Sequence, residues 1–131
     1  MAPLLSTLPD QDRRERELLD RLLGLYAEER EIYARVLELS RQQGDVVRRG
    51  APMGEVRRIL EAKKECLEVI GRLEMTERVS KVEWETGRAA WSASSQATLH
   101  TALHEVSGLI EEILLCEEKN DLYLIEQTRV M

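Results

Sequence analysis

Residues 18–39 read Leu18-Leu19-Asp20-Arg21-Leu22-Leu23-Gly24-Leu25-Tyr26-Ala27-Glu28-Glu29-Arg30-Glu31-Ile32-Tyr33-Ala34-Arg35-Val36-Leu37-Glu38-Leu39. Leu18, Leu22, Leu25, Ile32, Val36 and Leu39 recur at steps of three, four and seven, the period of one helix face. Glu29 holds the one position of that seam that is not apolar. A second row, Leu19, Leu23, Tyr26, Tyr33 and Leu37, runs beside the first. Two adjacent rows make a face wide enough to touch two neighbours, which is what a helix inside a bundle needs. Glu17 with Arg21 and Glu31 with Arg35 add i,i+4 pairs in the favourable order, each worth about 0.3 kcal/mol. The helix is expected over residues 8–43. It is entered through the capping-box pattern Thr7-Leu8-Pro9-Asp10 and left at Gln43-Gly44-Asp45.

Working outward, residues 44–54 form the clearest break, with Gly44, Gly50, Pro52 and Gly54. Pro52 suits the first position of a second helix. Val56, Ile59, Leu60, Leu67, Ile70 and Leu73 then line a face, with Lys63 and Cys66 between them. This seam thins past Leu73, so the second helix ends between Glu74 and Trp91; its longest version is 52–91. Ser92-Ala93-Ser94-Ser95-Gln96-Ala97-Thr98 reads as a turn with a serine N-cap. A third helix, 95–127, follows with the seam Leu99, Leu103, Val106, Ile110, Ile113 and Leu124, in which Glu117 and Asn120 are polar members. About 33 residues per helix gives rods of roughly 50 Å. The short first break demands an antiparallel neighbour. The expectation is a single all-α domain over residues 1–131, an elongated antiparallel three-helix bundle or a helical hairpin with a third long helix along it.

The composition agrees. The 131 residues are 43% hydrophobic and 34% charged, with 4% aromatics and no Phe. That is helix and coiled-coil chemistry rather than a sandwich core or a disordered chain. The net charge is −6, and it is uneven: residues 1–65 balance 13 basic against 13 acidic, whereas residues 66–131 carry 6 against 12. Without a basic footprint, nucleic-acid binding is disfavoured. No apolar run is long enough to span a membrane, and the N-terminal residues lack the basic start and apolar stretch of a secretory signal. Two cysteines make no disulfide framework, and a reducing cytoplasm is expected.

Candidate chemistry is sparse. His100 and His104 stand i,i+4 with Glu105 beside them, a spacing used for metal ligation, but no third ligand and no ExxH pair accompanies them. A surface pair is the better reading, and no metal or cofactor is expected. If the second turn centres near position 91, antiparallel pairing sets Cys66 opposite Cys116. Neither adjoins a histidine. Ser94 and Ser95 have no nucleophile-elbow context, and there is no phosphate loop. No convergent constellation points to an enzyme, and no catalytic residues are assigned. Arg41, Arg48, Arg49, Arg57 and Arg58 flank the first turn, either as solvated helix ends or as a contact for an acidic partner or membrane surface. Trp84 reads as core, and Trp91 as a cap on one end of the bundle.

The strongest signal is the third helix. Residues 95–131 hold seven acidic residues against Lys119 and Arg129. They also hold Leu109, Leu114, Leu115, Leu122, Tyr123 and Ile125 outside the main seam. This exceeds what one bundle seam buries. An acidic rim around surplus apolar surface is what a partner-binding helix needs: burial supplies affinity, at roughly 25 cal/mol per Å² gross, and charge supplies selectivity. The competing reading makes this helix the bundle's central element or a homodimer face.

Three blocks carry a family resemblance. They are Leu22 to Tyr33 continuing through Val36-Leu37-Glu38-Leu39; Ile59-Leu60-Glu61-Ala62-Lys63-Lys64-Glu65-Cys66-Leu67; and Ile110-Glu111-Glu112-Ile113-Leu114-Leu115-Cys116-Glu117-Glu118-Lys119-Asn120-Asp121-Leu122. In these the chain resembles the FlgN-type flagellar export chaperones across most of residues 18–126. It departs from the family at Gly50-Ala51-Pro52, which lacks an acidic start to the second helix, and over Val82 to Gln96, which has no counterpart. The resemblance implies a cytoplasmic type III secretion chaperone. Such a protein holds hook–filament junction subunits until export, with cargo on its C-terminal helix. Carried onto this chain, the cargo-binding residues are Leu109, Ile110, Ile113, Leu114, Glu117, Asn120, Leu124 and Ile125. A FliT-like chaperone with other cargo, and a coiled-coil scaffold that only self-associates, are the alternatives.

Overall fold

A computed structural model describes the backbone of residues 2–130 and the side chains of residues 10–126. The described residues are helical with no strand: α1 (Ala2–Arg48), α2 (Met53–Thr76), α3 (Arg78–Thr86), a short 3-10 turn (Arg88–Ala90) and α4 (Ala93–Val130). α1 is the axis of the molecule, about 70 Å long at 1.5 Å per residue. It packs against α2, α3 and α4, whereas no Cα of α2 comes within 8 Å of one in α4. The path is up, down, up. Arg21–Glu77 (3.3 Å) and a forked Arg14–Glu83 pair tie α1 to the descending leg, and Arg30–Glu105 (2.7 Å) and Arg41–Glu112 (3.7 Å) tie it to α4. These pairs are exposed or partly so and add little stability individually, but they agree on one register.

The two rows of residues 18–39 account for α1's central place. Leu18, Leu22, Leu25 and Tyr26 are buried together with Trp84, Leu99 and Val106, and Leu19, Leu23, Tyr33, Leu73 and Ile110 pack around them. A smaller cluster at the other end joins Val46, Val47 and Val56, with Ile59, Tyr123 and Leu124 against it. Where the bundle is closed, Trp84 and Trp91 stack with centroids 5.5 Å apart, and the Trp91 indole N–H donates to the Trp84 carbonyl at 2.7 Å.

Several boundaries differ from expectation. The backbone is already helical from Ala2, and the side chain of Thr7 in the expected capping box lies outside the described residues. α1 does not stop at Gly44 but runs on to Arg48, because Gly44 sits under Asn120 and the next turn buries Val46 and Val47. Packing outweighs the roughly 1 kcal/mol helix penalty of a glycine. The true stop is Gly50, at φ 67°. There the Ala51 N–H reaches the Val46 carbonyl (2.9 Å) and the Gly50 N–H reaches that of Val47 (3.1 Å), a Schellman closure. The second helix is not continuous to Trp91: Glu77 breaks it into α2 and α3, and the 3-10 turn follows Gly87. α4 starts at Ala93 rather than Ser95, with the Ser92 hydroxyl accepting the Ser95 N–H at 3.1 Å. Leu103, expected in the seam, is exposed at the edge of the buried face.

Candidate partner-binding face

Glu15 of α1 fastens the start of α4. Its carboxylate accepts the Ser92 backbone N–H (2.7 Å), the Ser92 hydroxyl (3.0 Å) and the Ser95 hydroxyl (2.9 Å). The Ser92 N–H above all holds this carboxyl below its ordinary range. α4 is therefore indexed against α1 at its first turn, and every residue downstream has a fixed facing.

Two turns beyond its middle, α4 meets a buried polar layer. Lys63 of α2 donates to Gln43 Oε1 (2.9 Å) and to the carboxylate of Glu117. The Ser40 hydroxyl donates to Glu117 at 2.5 Å, and Asn120 Nδ2 donates to the Ser40 carbonyl at 2.8 Å. A Cβ at Gly44 would fall 2.6 Å from Asn120 Oδ1, so glycine is what lets Asn120 reach the α1 backbone. The layer joins all three legs at one height and pins their register.

A second charged cluster lies lower, between α1 and the kink at Glu77. Glu29 is buried, and its Oε1 has no hydrogen-bond partner. Burial first, then the neighbouring Glu74, push its carboxyl up to about 8. At neutral pH it is protonated. Lys81 of α3 pairs with Glu74 and lies 5.5 Å from the Tyr26 ring centre.

The eight residues assigned to cargo from sequence fall into three environments. Asn120 is 1% exposed and Glu117 is engaged with Lys63 and Ser40, so both are used inside the chain. Ile110 packs on the main core and Leu124 on the Val46–Val47–Val56 cluster, while Leu109 and Ile113 are half-buried. Leu114 and Ile125 stand in solvent, 63% and 50% exposed. Leu115 (61%) and Leu122 (56%) join them. With Glu111 and Glu118, three of them share one arc of α4, stepping 111, 114, 118, 122, 125, whereas Leu115 stands beside it at the groove between α4 and Leu37 and Arg41 of α1. The sequence had marked Leu115 and Leu122 as surplus; the seam residues were the ones whose assignment failed to reach the surface.

The remaining candidates are dispersed. His100 and His104 are exposed, with rings 6.4 Å apart, and no group of three or more potential ligands occurs among the described residues. The Cys66–Cys116 register was nearly right, since Lys63 and Glu117 meet, but the thiols line different grooves: Cys66 between α1 and α2, Cys116 between α1 and α4. Of the basic cluster, Arg41 and Arg49 pair with Glu112 and Glu55, and Arg48 pairs with Asp45 and lies over the Tyr123 ring. No helix among the described residues is long and apolar enough to cross a membrane. No protein-family model, curated protein or solved structure matches the chain.

Proposed function

We propose that this chain is a cytoplasmic export chaperone of the FlgN type, taking an amphipathic helix of a hook–filament junction subunit on the outer face of α4. The observation that supports the reading is the exposed row Leu114, Leu122 and Ile125, with Leu115 beside it, flanked by Glu111 and Glu118 on a helix whose opposite side is anchored at both Glu15 and Asn120. A rigid helix with an unpartnered apolar arc presents a docking surface at low ordering cost. The cargo's own apolar stripe is covered there, which suppresses premature assembly, and the acidic flank favours a cargo helix with basic edges. The binding residues in this proposal are Leu114 and Ile125 from the sequence reading, extended by Leu115 and Leu122. Calorimetric titration of the full chain with terminal segments of hook–filament junction subunits tests it. Saturable binding with a negative heat-capacity change is expected. Failure of every such segment to bind overturns the cargo assignment.

A further inference from the structure

A second exposed stripe lies on α2. Arg57, Leu60, Lys64 and Leu67 follow one another at steps of three, four and three, with Met53 one turn earlier, and all five are exposed. Leu60 and Leu67 are the i−3 and i+4 neighbours of Lys63; Leu114 and Asp121 are the i−3 and i+4 neighbours of Glu117. Because Lys63 and Glu117 meet, the two stripes adjoin that bridge together, on its solvent side. One surface of the molecule thus carries two antiparallel apolar rows side by side, one on α2 that holds Arg57 and Lys64, with Glu61 and Glu68 on its outer flank, and an acidic one on α4.

Their charges enter no ion pair among the described residues. Ion pairs engage most arginines of α1, but none among the described residues engages Arg57, Lys64, Glu111, Glu118 or Asp121. A surface with opposite charges in adjacent rows is complementary to itself once turned over.

We propose that the α2/α4 surface docks a second copy of this chain, each copy laying its basic α2 stripe on the acidic α4 stripe of the other. A two-fold axis parallel to the helices does this, and such an axis permits no shift along the rods. The register is therefore already set by the internal Lys63–Glu117 bridge. It brings Lys64 level with Glu118 of the second copy, and Arg57 level with its Asp121, each within about 3 Å along the axis. Met53, Leu60 and Leu67 are covered by Leu114, Leu122 and Ile125, the residues that the proposed cargo helix takes, so the second copy and the cargo are alternative occupants of this face. A head-to-tail arrangement leaves one stripe of each pair open; the two-fold closes both.

The experiment is sedimentation of the purified full chain and two charge-reversed variants, alone and mixed. The wild type is expected at about twice 15.1 kDa at micromolar concentration. Arg57→Glu with Lys64→Glu makes both stripes acidic, and Glu118→Lys with Asp121→Lys makes the α4 stripe basic like α2, so each variant alone should sediment as a monomer. An equal mixture should regain the dimer, because every contact is again between opposite charges. Misfolding of either variant does not produce that rescue. A monomeric wild type, dimers that survive both reversals, or a mixture that stays monomeric overturns the proposal. A monomeric chain that still binds a cargo helix refutes the dimer and leaves the cargo reading standing.

Discussion

Leu22 and Leu114 are the same side chain in the same kind of helix, yet one is 1% exposed and the other 63%. Leu22 belongs to a row that meets Trp84 on one side and Leu99 and Val106 on the other. Leu114 belongs to a row that stands in solvent with Leu122 and Ile125. The difference lies in which helix stands in the middle. α1 has neighbours on two flanks, so both of its apolar rows are used; α4 has α1 and only side-chain contact with α2, so its second row is left over. Surplus apolar surface in a sequence marks an interface only when the helix that carries it is peripheral.

The largest expected effect is on the inner side of this comparison. Leu22→Ala should cost about 2–5 kcal/mol in denaturant unfolding, because the cavity opens among α1, α3 and α4. A cost under about 1 kcal/mol would mean that the site is loosely packed and the contrast with Leu114 is smaller than drawn. Next is the polar layer. Asn120→Ala removes the bond to the Ser40 carbonyl and should cost about 1–3 kcal/mol. Gly44→Ala should destabilise on its own and be tolerated in the Asn120→Ala background, since the obstructing Oδ1 is then gone. Equal costs in both backgrounds would show that Gly44 matters for another reason.

Glu29 sharpens the comparison with the opposite sign. Its carboxyl titrates near 4.5 when unfolded and near 8 when buried. The folded state therefore holds a proton that the unfolded chain releases, and this contribution to stability is full below 4.5 and is lost as pH rises to about 8. Glu29→Gln keeps the shape without the proton demand. It should raise the melting temperature at pH 8, by an amount that shrinks as the pH is lowered and vanishes near pH 4. A gain independent of pH would place the cause in packing rather than protonation. The smallest effect expected is at the α4 entrance. Glu15→Ala should cost about 1 kcal/mol, in the range of a lost helix cap. Because Glu15 is held below its ordinary value, its contribution is present above about pH 4.5 and is lost as the pH falls through the lowered value.

Much of this was legible in the chain itself. The double row of α1 foretold a helix with two neighbours, and Glu29 stood out as the polar member of a buried seam. The antiparallel register that sets Cys66 opposite Cys116 was close to that of the Lys63–Glu117 bridge. What could not be read depended on partners distant in sequence. Glu117 and Asn120 looked like polar positions available to cargo, and only the fold brings Ser40, Gln43 and Lys63 to them. Gly44 looked like a stop because its packing under Asn120 is a tertiary fact. The break at Glu77 has no proline or glycine to announce it.

The central claim is that the outer arc of α4 serves binding and not folding. The direct measurement is a paired one on the double variant Leu114→Asp/Ile125→Asp: thermal melting, and calorimetric titration with a hook–filament junction segment that binds the wild type. At dilution where neither chain self-associates, melting within about 0.5 kcal/mol of the wild type is expected, as for other exposed positions, together with loss of binding. Unfolding of the variant, or undiminished affinity for the segment, would contradict it.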